Sequence, residues 1–392
     1  MTRRIVWSLI AIALIIMAGS VLAGDKPSVD LKWYGYFKFD GAYDRNMTSH
    51  GNFVMWVQPE TQPGHDNQFN MTANETRFGI TATGVNYNNV KVSGKLEFDL
   101  YASITGATIA ENKAMLQLRH AYFSVESNHW KMIAGQTWDL ISPLNPSTLN
   151  YSVLWGVGNI GYRRPQLSVW YNFKSGKTTD FTIASGVFRT IGTDLTPTFT
   201  LALGETAEGA DDGTDAAIPS FQGLIDIKHT LASGGQIRGG VSALTGRLQA
   251  ETNQGHVQKY KSWVVAGHLL INPTKNYGFS GEVHKGSNLG SYFGNILRSS
   301  EVNGSADFGG WVSAWVQAAP KTQLSAGYGM DDPDNTDFAS GRSRNSCVYG
   351  NVRYQLVPQV TVGLELSNWV TNYKNAEPVK DLRVQSSFIL GF

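Results

Sequence analysis

Apolar and polar side chains alternate along the C-terminal residues, 381–392. Leu382, Val384 and Phe388 fall on one side of an extended strand, and Arg383 falls on the other. Successive side chains of a strand point to opposite faces, so this pattern predicts a strand with one apolar and one polar face. An open sheet edge of this kind promotes aggregation, whereas a closed barrel in a membrane removes the edge and places the apolar face in lipid. The end of the chain therefore predicts a transmembrane β-barrel.

The same alternation recurs along the rest of the chain, in about sixteen segments, and an even number is typical of bacterial barrels. The segments are 31–43, 72–83, 90–101, 113–125, 130–137, 165–173, 179–189, 219–230, 235–246, 258–270, 277–285, 307–318, 322–330, 344–355, 360–371 and 381–392. The last segment is expected to close the barrel against the first. The mean hydropathy of −0.21 fits a barrel, because only alternate residues face lipid.

The connections between these segments alternate between short and long. The short ones are rich in turn-forming residues: 84–89, 126–129, 174–178, 232–235, 272–276, 319–321 and 357–359. Three of the long ones are 44–71, 138–164 and 190–218. Short periplasmic turns and long extracellular loops are typical of outer-membrane barrels. We therefore predict an all-β fold, a transmembrane antiparallel β-barrel of about 16 strands.

Connection 138–164 differs from the other two long connections, which are polar, because it is rich in Leu, Ile, Val and Trp. A surface loop has no use for so many apolar groups. We expect this loop to fold inward and narrow the lumen, with Asp139, Tyr151 and Trp155 as candidate constriction-loop residues. The alternative is that the loop packs against a neighbouring subunit, and the two arrangements are compatible.

The N-terminus predicts export. Two arginines precede an apolar run, 5–18, and the small residue Ala23 suits cleavage by signal peptidase. The run is shorter than the roughly twenty residues of a spanning helix, which is the competing interpretation. The predicted organisation is a cleaved signal peptide, 1–23, followed by a single outer-membrane β-barrel domain, 24–392.

Charge and cysteine content argue against nucleic-acid binding and against a disulfide-stabilised fold. Loss of Arg3 and Arg4 with the signal peptide leaves 30 of the 32 basic residues against 31 acidic ones, so the formal charge falls from +1 to −1. A basic footprint for nucleic acid is therefore missing, and no nucleic acid is expected as a partner. Cys347 is the single cysteine, so a disulfide within the chain is impossible.

The polar side of each strand predicts which charges face the lumen. The candidate pore-lining and constriction residues are Lys38, Arg77, Lys95, Glu97, Asp99, Arg119, Arg163, Arg164, Arg189, Arg238 and Arg383. Arg77, Lys95 and Arg119 lie near mid-strand beside the inward loop, where basic side chains favour anions. The alternative is that these residues pair across strands with neighbouring acidic groups and neutralise one another. His120 alternates with Arg119 and is therefore expected to face outward.

Several short motifs resemble the DcaP-like family of trimeric outer-membrane porins, within the general bacterial porin superfamily. The motifs are 76–80, 94–99, 118–123, 134–138 and 142–144. The resemblance implies a homotrimer that takes up dicarboxylic acids and other small organic anions. It also implies that the terminal aromatic residue, Phe392, is read by the barrel-assembly machinery. Some members carry a coiled-coil segment before the barrel; here only about eight residues separate Ala23 from the first strand, so properties that depend on such an extension are not carried over.

Together these patterns predict a porin in the outer membrane of a Gram-negative bacterium, for passive diffusion of small hydrophilic solutes with a mild preference for organic anions such as dicarboxylates. Outer-membrane lipid and lipopolysaccharide are further expected partners, the latter near the acidic stretches 205–215 and 331–337. One alternative is a saccharide-preferring channel, in which Tyr151 and Trp155 stack on a sugar ring. The other is a non-channel structural or enzymatic barrel. The eight histidines lie in no catalytic or metal-binding motif, so no catalytic residue, cofactor or metal is expected.

Overall fold

Sixteen antiparallel strands form a closed barrel in the computed structural model, as the alternating pattern predicted. The structure describes residues 29–60, 66–87, 89–102, 114–192, 206, 212–301 and 303–392. The predicted signal peptide, 1–23, lies outside the described residues. Within the described part of the chain, no helix has the length and apolar character needed to cross a membrane.

The strands are β1 (Asp30–Asp44), β2 (Thr48–His50), β3 (Phe53–Val57), β4 (Gln68–Thr72), β5 (Arg77–Tyr87), β6 (Val90–Ala102), β7 (Met115–Ser127), β8 (Trp130–Trp138), β9 (Arg163–Ser175), β10 (Thr179–Phe188), β11 (Ser220–Thr230), β12 (Gln236–Glu251), β13 (Val257–Asn272), β14 (Tyr277–Ser287), β15 (Ala306–Ala319), β16 (Thr322–Pro333), β17 (Arg342–Val357), β18 (Val360–Tyr373) and β19 (Val379–Gly391). The helical pieces are α1 (Asp212–Asp215) and the 3-10 turns Gly290–Tyr292 and Asn295–Leu297. Both β4 and β5 pair with β1, and together they form one barrel strand that is interrupted at residues 73–76. The hairpin of β2 and β3 lies in the first long connection.

The first and last strands are hydrogen-bonded neighbours, which confirms the predicted closure. β1 pairs antiparallel with β19, beginning with Tyr36 opposite Gly391. One residue further, the backbone N–H of Phe392 donates to the carbonyl of Gly35 at 3.1 Å, and the N–H of Gly35 donates back at 3.2 Å. The C-terminal strand therefore has no open edge on this side, as a membrane barrel requires.

The barrel is apolar outside and polar inside. In β1 the side chains of Phe37 and Phe39 are exposed, whereas those of Lys38 and Asp40 are buried. A soluble protein shows the opposite arrangement, with charges outside and aromatic groups inside. This reversed polarity suits lipid around the barrel and polar groups within it.

Connection lengths alternate along the chain, with short turns at one end of the barrel. β5 and β6 are joined by residues 88–89, whereas the opposite end carries 139–162 and 288–305. Two connections at the long-loop end, 252–256 and 374–378, have only five residues each. The predicted alternation therefore holds in general and is weakest at these two connections.

The apolar core lies inside the barrel, between the wall and residues 139–162, which we call the inward loop. Leu154 and Val157 of this loop pack with Trp311 and Trp369 of the wall. The apolar side chains that distinguished this connection are thus buried on the chain's own barrel. Inward folding, as predicted, is the arrangement found.

The prediction that connection 44–71 is simply polar is wrong at β3. Val54 and Val57 are fully buried in the same cluster as the inward loop. The backbone N–H of Val57 donates to the hydroxyl of Thr371 at 2.9 Å, which ties β3 to the wall. The run of five apolar residues in an otherwise polar loop was the available signal.

Candidate constriction site

Two buried glutamates hold the inward loop against the wall. Glu365 of β18 accepts the backbone N–H of Leu149 at 2.6 Å, and Glu282 of β14 accepts that of Leu144 at 2.8 Å. The loop backbone has no strand partner here, and buried N–H groups need acceptors. The two carboxylates therefore anchor the loop at separate points.

Basic side chains of the wall complete the anchoring by donating to loop carbonyls. Lys38 Nζ donates to the carbonyl of Leu149 at 2.9 Å, and Arg353 Nη2 donates to that of Thr148 at 2.7 Å. Lys38 is buried, and its Nζ also pairs with Glu75 at 2.5 Å. One of the predicted pore-lining residues is thus used to hold the loop.

Tyr151 joins the middle of the inward loop to β6 and β7. Its hydroxyl lies 3.0 Å from Asp99 Oδ2 and 3.1 Å from Gln117 Oε1, and its ring centroid lies 4.0 Å from that of Tyr101. Burial raises the pKa of the Tyr151 hydroxyl. The hydroxyl therefore stays protonated and donates a hydrogen bond to the wall.

Glu97 on β6 is shared by three of the predicted basic residues. Arg119 Nε donates to its Oε1 at 2.7 Å. Arg77 Nε and Lys95 Nζ lie 3.6 Å and 3.4 Å from its carboxylate oxygens. Arg119 also donates through Nη1 to Asp99 at 2.6 Å. The structure thus brings five of the predicted residues into one cluster, with three cations facing two carboxylates.

His120 lies inside the barrel, so the prediction that it faces outward is wrong. β7 contains a bulge, in which Leu118 lies opposite Phe98 and His120 lies opposite Glu97. Arg119 is the additional residue between them, and such a residue shifts the alternation by one position. Both Arg119 and His120 are consequently buried on the inner side.

Asp139 and Arg164 pair at the base of the inward loop. Arg164 Nε donates to Asp139 Oδ2 at 3.0 Å, and Gln222 Nε2 donates to Asp139 Oδ1 at 2.7 Å. The guanidinium carbon of Arg164 lies 4.1 Å from the ring centroid of Tyr292. Both partners of the ion pair are completely buried, so they close the loop at its base.

Arg163 lies between two aromatic rings. Its guanidinium carbon is 5.0 Å from the centroid of Trp138 and 4.4 Å from that of Tyr162. In the part of the chain that the structure describes, its three guanidinium nitrogens have no hydrogen-bond partner. Cation–π contact stabilises a guanidinium without neutralising it. Arg163 therefore adds positive charge beside the inward loop.

Arg189 is not on the predicted face. It follows β10, in which Phe188 is buried and Ile183 is exposed. Arg189 has the same alternation phase as Ile183 and is itself exposed at the strand end. The inner positions of this strand are the even-numbered ones, and one residue of register separates the two faces.

Arg238 and Arg383 are both on the inner side, in different surroundings. Arg238 Nε lies 2.9 Å from Asp226 Oδ1 and keeps a partly exposed side chain. Arg383 is fully buried and donates through Nη1 to both oxygens of Asp44, at 2.9 Å and 2.8 Å. Arg238 is therefore accessible from the lumen, whereas Arg383 is held in the wall.

The two aromatic residues considered for sugar stacking are packed against other rings. Tyr151 is 9% exposed and Trp155 is 4% exposed. The ring centroid of Trp155 lies 4.6 Å from Phe293 and 5.3 Å from Tyr162. Stacking on a sugar would require these rings to separate.

Comparison with known proteins places this geometry in a fold group. No family model and no curated protein sequence matches the chain. The crystal structure of the outer membrane channel DcaP of Acinetobacter baumannii matches with a TM-score of 0.71 and 22% identity, over 95% of this chain and 100% of that chain. The chain has a DcaP-like porin fold.

Two further solved structures match the fold of this chain more distantly. The anion-selective porin from Comamonas acidovorans has a TM-score of 0.56 and 11% identity, over 93% of this chain and 100% of that chain. OmpT of Vibrio cholerae in its trimer form has a TM-score of 0.57 and 13% identity, over 93% of this chain and 100% of that chain. At these identities the similarity concerns the fold.

A second loop of this chain, residues 288–305, supports the inward loop and was not predicted. The backbone N–H of Gly156 donates to the carbonyl of Phe293 at 2.8 Å, and that of Gly161 donates to the carbonyl of Tyr292 at 2.7 Å. The adjacent aromatic residues Tyr292 and Phe293, in a segment of Gly, Ser and Asn, were the signal available in the sequence.

Proposed function

We propose that the chain is an outer-membrane porin, a water-filled channel for passive diffusion of small hydrophilic solutes. The DcaP-like fold supports a channel because the outer face suits lipid and the inner face carries charged groups. It also supports the outer membrane of a Gram-negative bacterium as the location. We further propose a mild preference for organic anions such as dicarboxylates.

The anion preference rests on three inner ion pairs in which the basic member is the more exposed, whereas Lys38 and Glu75 show the reverse, 4% against 14%. The side chains of Lys95 and Arg77 are 28% and 21% exposed, whereas that of their shared partner Glu97 is 5% exposed. Arg238 is 29% exposed, against 9% for its partner Asp226. The acidic groups are covered, and the basic groups keep an accessible face on the inner side of the wall. The accessible charge of these pairs is therefore positive.

A carboxylate solute would meet these basic groups as weak, successive partners. Arg77 and Lys95 already interact with a buried carboxylate, so their attraction for a passing anion is partial. Conduction requires binding that is favourable enough for entry and weak enough for release. Positive charge within a narrow passage also raises the local concentration of anions. A dicarboxylate carries two anionic groups, so it can interact with two cations at once.

We also propose that the chain acts as a homotrimer in contact with outer-membrane lipid and lipopolysaccharide. The OmpT structure is described as a trimer, and the exposed aromatic outer face of the barrel suits lipid or a neighbouring subunit. Export by the predicted signal peptide, 1–23, and recognition of Phe392 by the barrel-assembly machinery belong to the same proposal.

Planar-bilayer recording with a salt gradient tests the channel and its selectivity. The wild-type protein is expected to give a reversal potential whose sign indicates anion selectivity. In R77Q/K95Q the reversal potential is expected to shift toward cation selectivity. The matched control K275Q/K321Q removes two positive charges from exposed short turns and is expected to leave the reversal potential unchanged. Cation preference in the wild type would contradict the anion proposal, and an absence of conductance would contradict the channel.

Solute flux into liposomes separates the remaining alternatives. We expect liposomes containing the protein to swell faster in succinate than in a neutral disaccharide of the same osmolarity. Faster swelling in the disaccharide would favour a saccharide channel. No flux of either solute would favour a structural or enzymatic barrel.

A further inference from the structure

A buried cluster of His284, Asp307 and Asp331 lies on the inner wall, on strands that do not carry the Glu97 cluster. The three residues come from the adjacent strands β14, β15 and β16. His284 lies opposite Gly309, and Gly309 lies opposite Asp331. His284 and Asp331 thus lie on either side of Gly309 in one row across the sheet. Asp307 lies two residues before Gly309 along β15.

Because Gly309 has no side chain, the side chains of His284 and Asp331 can occupy the space beside its backbone. A Cβ at this position would lie 2.2 Å from Asp331 Oδ1 and 2.5 Å from His284 Cε1. Both distances are far inside van der Waals contact, so any other residue would push the imidazole and the carboxylate apart. The glycine therefore allows His284 and Asp331 to approach each other across β15.

The contact between His284 and Asp307 is a hydrogen bond, whereas the separation of His284 from Asp331 has the length expected between two ligands of one metal ion. His284 Nε2 lies 3.1 Å from Asp307 Oδ2 and 3.6 Å from Asp331 Oδ1. Ligand atoms of a tetrahedral zinc ion lie about 3.3 to 3.6 Å from one another, given metal–ligand distances of about 2.0–2.2 Å. A separation of 3.6 Å is too long for a hydrogen bond, so the imidazole satisfies only Asp307.

One oxygen of each carboxylate lacks a partner. Asp307 Oδ1 and Asp331 Oδ1 are buried without a hydrogen-bond partner among the described residues. The other oxygens accept backbone N–H groups, from Asn295 at 2.8 Å and from Ile296 at 3.3 Å. Burial of a carboxylate is costly unless its charge is compensated. A divalent cation would balance the two carboxylates and leave the imidazole neutral.

The turn that donates to these carboxylates has an unusual backbone. Asn295, Ile296 and Leu297 have φ values of 53°, 48° and 53°. The left-handed region is unfavourable for residues other than glycine, and most of all for a β-branched residue such as isoleucine. Such a conformation persists only where its surroundings hold it. Here the turn places its N–H groups on Asp307 and Asp331.

We propose that His284, Asp307 and Asp331 form a binding site for a zinc-like divalent metal. The ligands are imidazole Nε2 and one oxygen from each carboxylate, with a fourth position for water or a second carboxylate oxygen. A nitrogen ligand favours zinc over calcium or magnesium, which prefer oxygen. The metal binds the neutral imidazole, so a proton held there is released on binding. The bound metal fixes the turn 295–297 to the wall. It thereby also fixes loop 288–305, which supports the inward loop.

The proposed site departs from one sequence-based expectation, and the position of Asp331 corrects a second. No metal was expected, because the ligands are 23 and 24 residues apart and belong to no motif; only strand register brings them together. Asp331 was assigned to an acidic extracellular stretch, 331–337, whereas it lies in β16 and is completely buried.

Metal content and thermal unfolding of the detergent-solubilised protein test the site. Because the cluster is buried, metal is added or removed during folding. The protein is refolded from urea with either ZnCl₂ or a chelator and is then dialysed against metal-free buffer. We expect one zinc per chain by elemental analysis, and a higher unfolding temperature in the zinc-loaded sample. Calcium and magnesium at the same concentration are expected to produce neither effect. Cobalt is expected to give the visible absorption of a tetrahedral site.

Variants assign the metal to these residues. H284Q and D331N are each expected to lose the bound zinc and the zinc-dependent rise in unfolding temperature. The control H268Q removes a buried histidine of the adjacent strand, which faces Asp226 at 2.7 Å, and is expected to keep both. Wild-type protein without zinc after refolding would overturn the proposal, even if H284Q does not fold. Zinc retained by D331N, or an equal response to calcium, would also overturn it.

Discussion

Arg119 and His120 are consecutive in the chain, and both side chains lie inside the barrel. In a regular strand they would point to opposite faces. The bulge in β7 removes this constraint, because His120 takes the position opposite Glu97 and Arg119 becomes the additional residue. Arg119 consequently reaches Glu97 and Asp99 together. A local irregularity of one strand thus creates the centre of the charged cluster.

Arg119 is expected to be a major contributor to barrel stability. R119Q removes the cation that contacts Glu97 and Asp99, so buried Asp99 loses its ion-pair partner and Glu97 keeps only the longer contacts with Arg77 and Lys95. We expect the free energy of unfolding to fall by about 3–5 kcal/mol, measured by urea titration of the protein in detergent micelles.

The control for this measurement is R238Q. Arg238 is 29% exposed, and its partner Asp226 also contacts His268 at 2.7 Å, so we expect a loss of about 1 kcal/mol or less. A loss in R119Q that is no larger than the loss in R238Q would contradict the central role of Arg119.

Strand positions were predictable because lipid imposes a strict pattern on each strand. The segment predicted at 90–101 is the strand Val90–Ala102, and the segment 360–371 is Val360–Tyr373. Every second residue must be apolar outside, and turns must interrupt the pattern, so local sequence carries most of the information. Closure of the barrel by residues 381–392 followed from the same constraint.

The contacts within the lumen were much less predictable. The apolar content of 139–162 indicated inward folding, but Glu282 and Glu365 meet the loop across 138 and 216 residues of sequence. Such pairs depend on the register of distant strands. The bulge at Arg119 and the phase of Arg189 illustrate the second difficulty, since one residue of register reverses a face.

The position of the inward loop is expected to depend on Glu365. In E365Q the amide keeps one acceptor oxygen, so at least one of the N–H groups of Leu149 and Asn150 loses its acceptor. A buried unsatisfied donor costs about 1–3 kcal/mol, which would loosen the loop. We therefore expect larger and noisier single-channel conductance in planar bilayers. E126Q changes a partly exposed glutamate that pairs with Lys131, and it should leave the conductance unchanged.

Gly158 allows the inward loop to approach β15 closely. Its φ is +96°, and a Cβ would lie 2.1 Å from the carbonyl oxygen of Gly310. G158A is expected to raise the loop from the wall, lower the free energy of unfolding by about 1–3 kcal/mol and increase the conductance. The control G350A has 3.9 Å of space before its nearest neighbour and should change neither quantity. Wild-type conductance in G158A would show that the loop does not narrow the channel.

Phe392 is expected to act both as part of the barrel seam and as an assembly signal, and the two roles can be separated. Its ring centroid lies 5.4 Å from that of Phe37 and 6.0 Å from that of Phe78, and each aromatic contact contributes about 0.5–1.5 kcal/mol. F392A should therefore lower the free energy of unfolding after refolding in detergent by about 1–3 kcal/mol. L390A, which removes an exposed apolar side chain from the same strand, is the control.

Heat-modifiable mobility on gels measures the folded fraction recovered from cells. If recognition by the assembly machinery depends on Phe392, F392A will be depleted in cells far more than L390A, even where both refold in detergent. Equal recovery of the two variants from cells would leave Phe392 with the seam role alone.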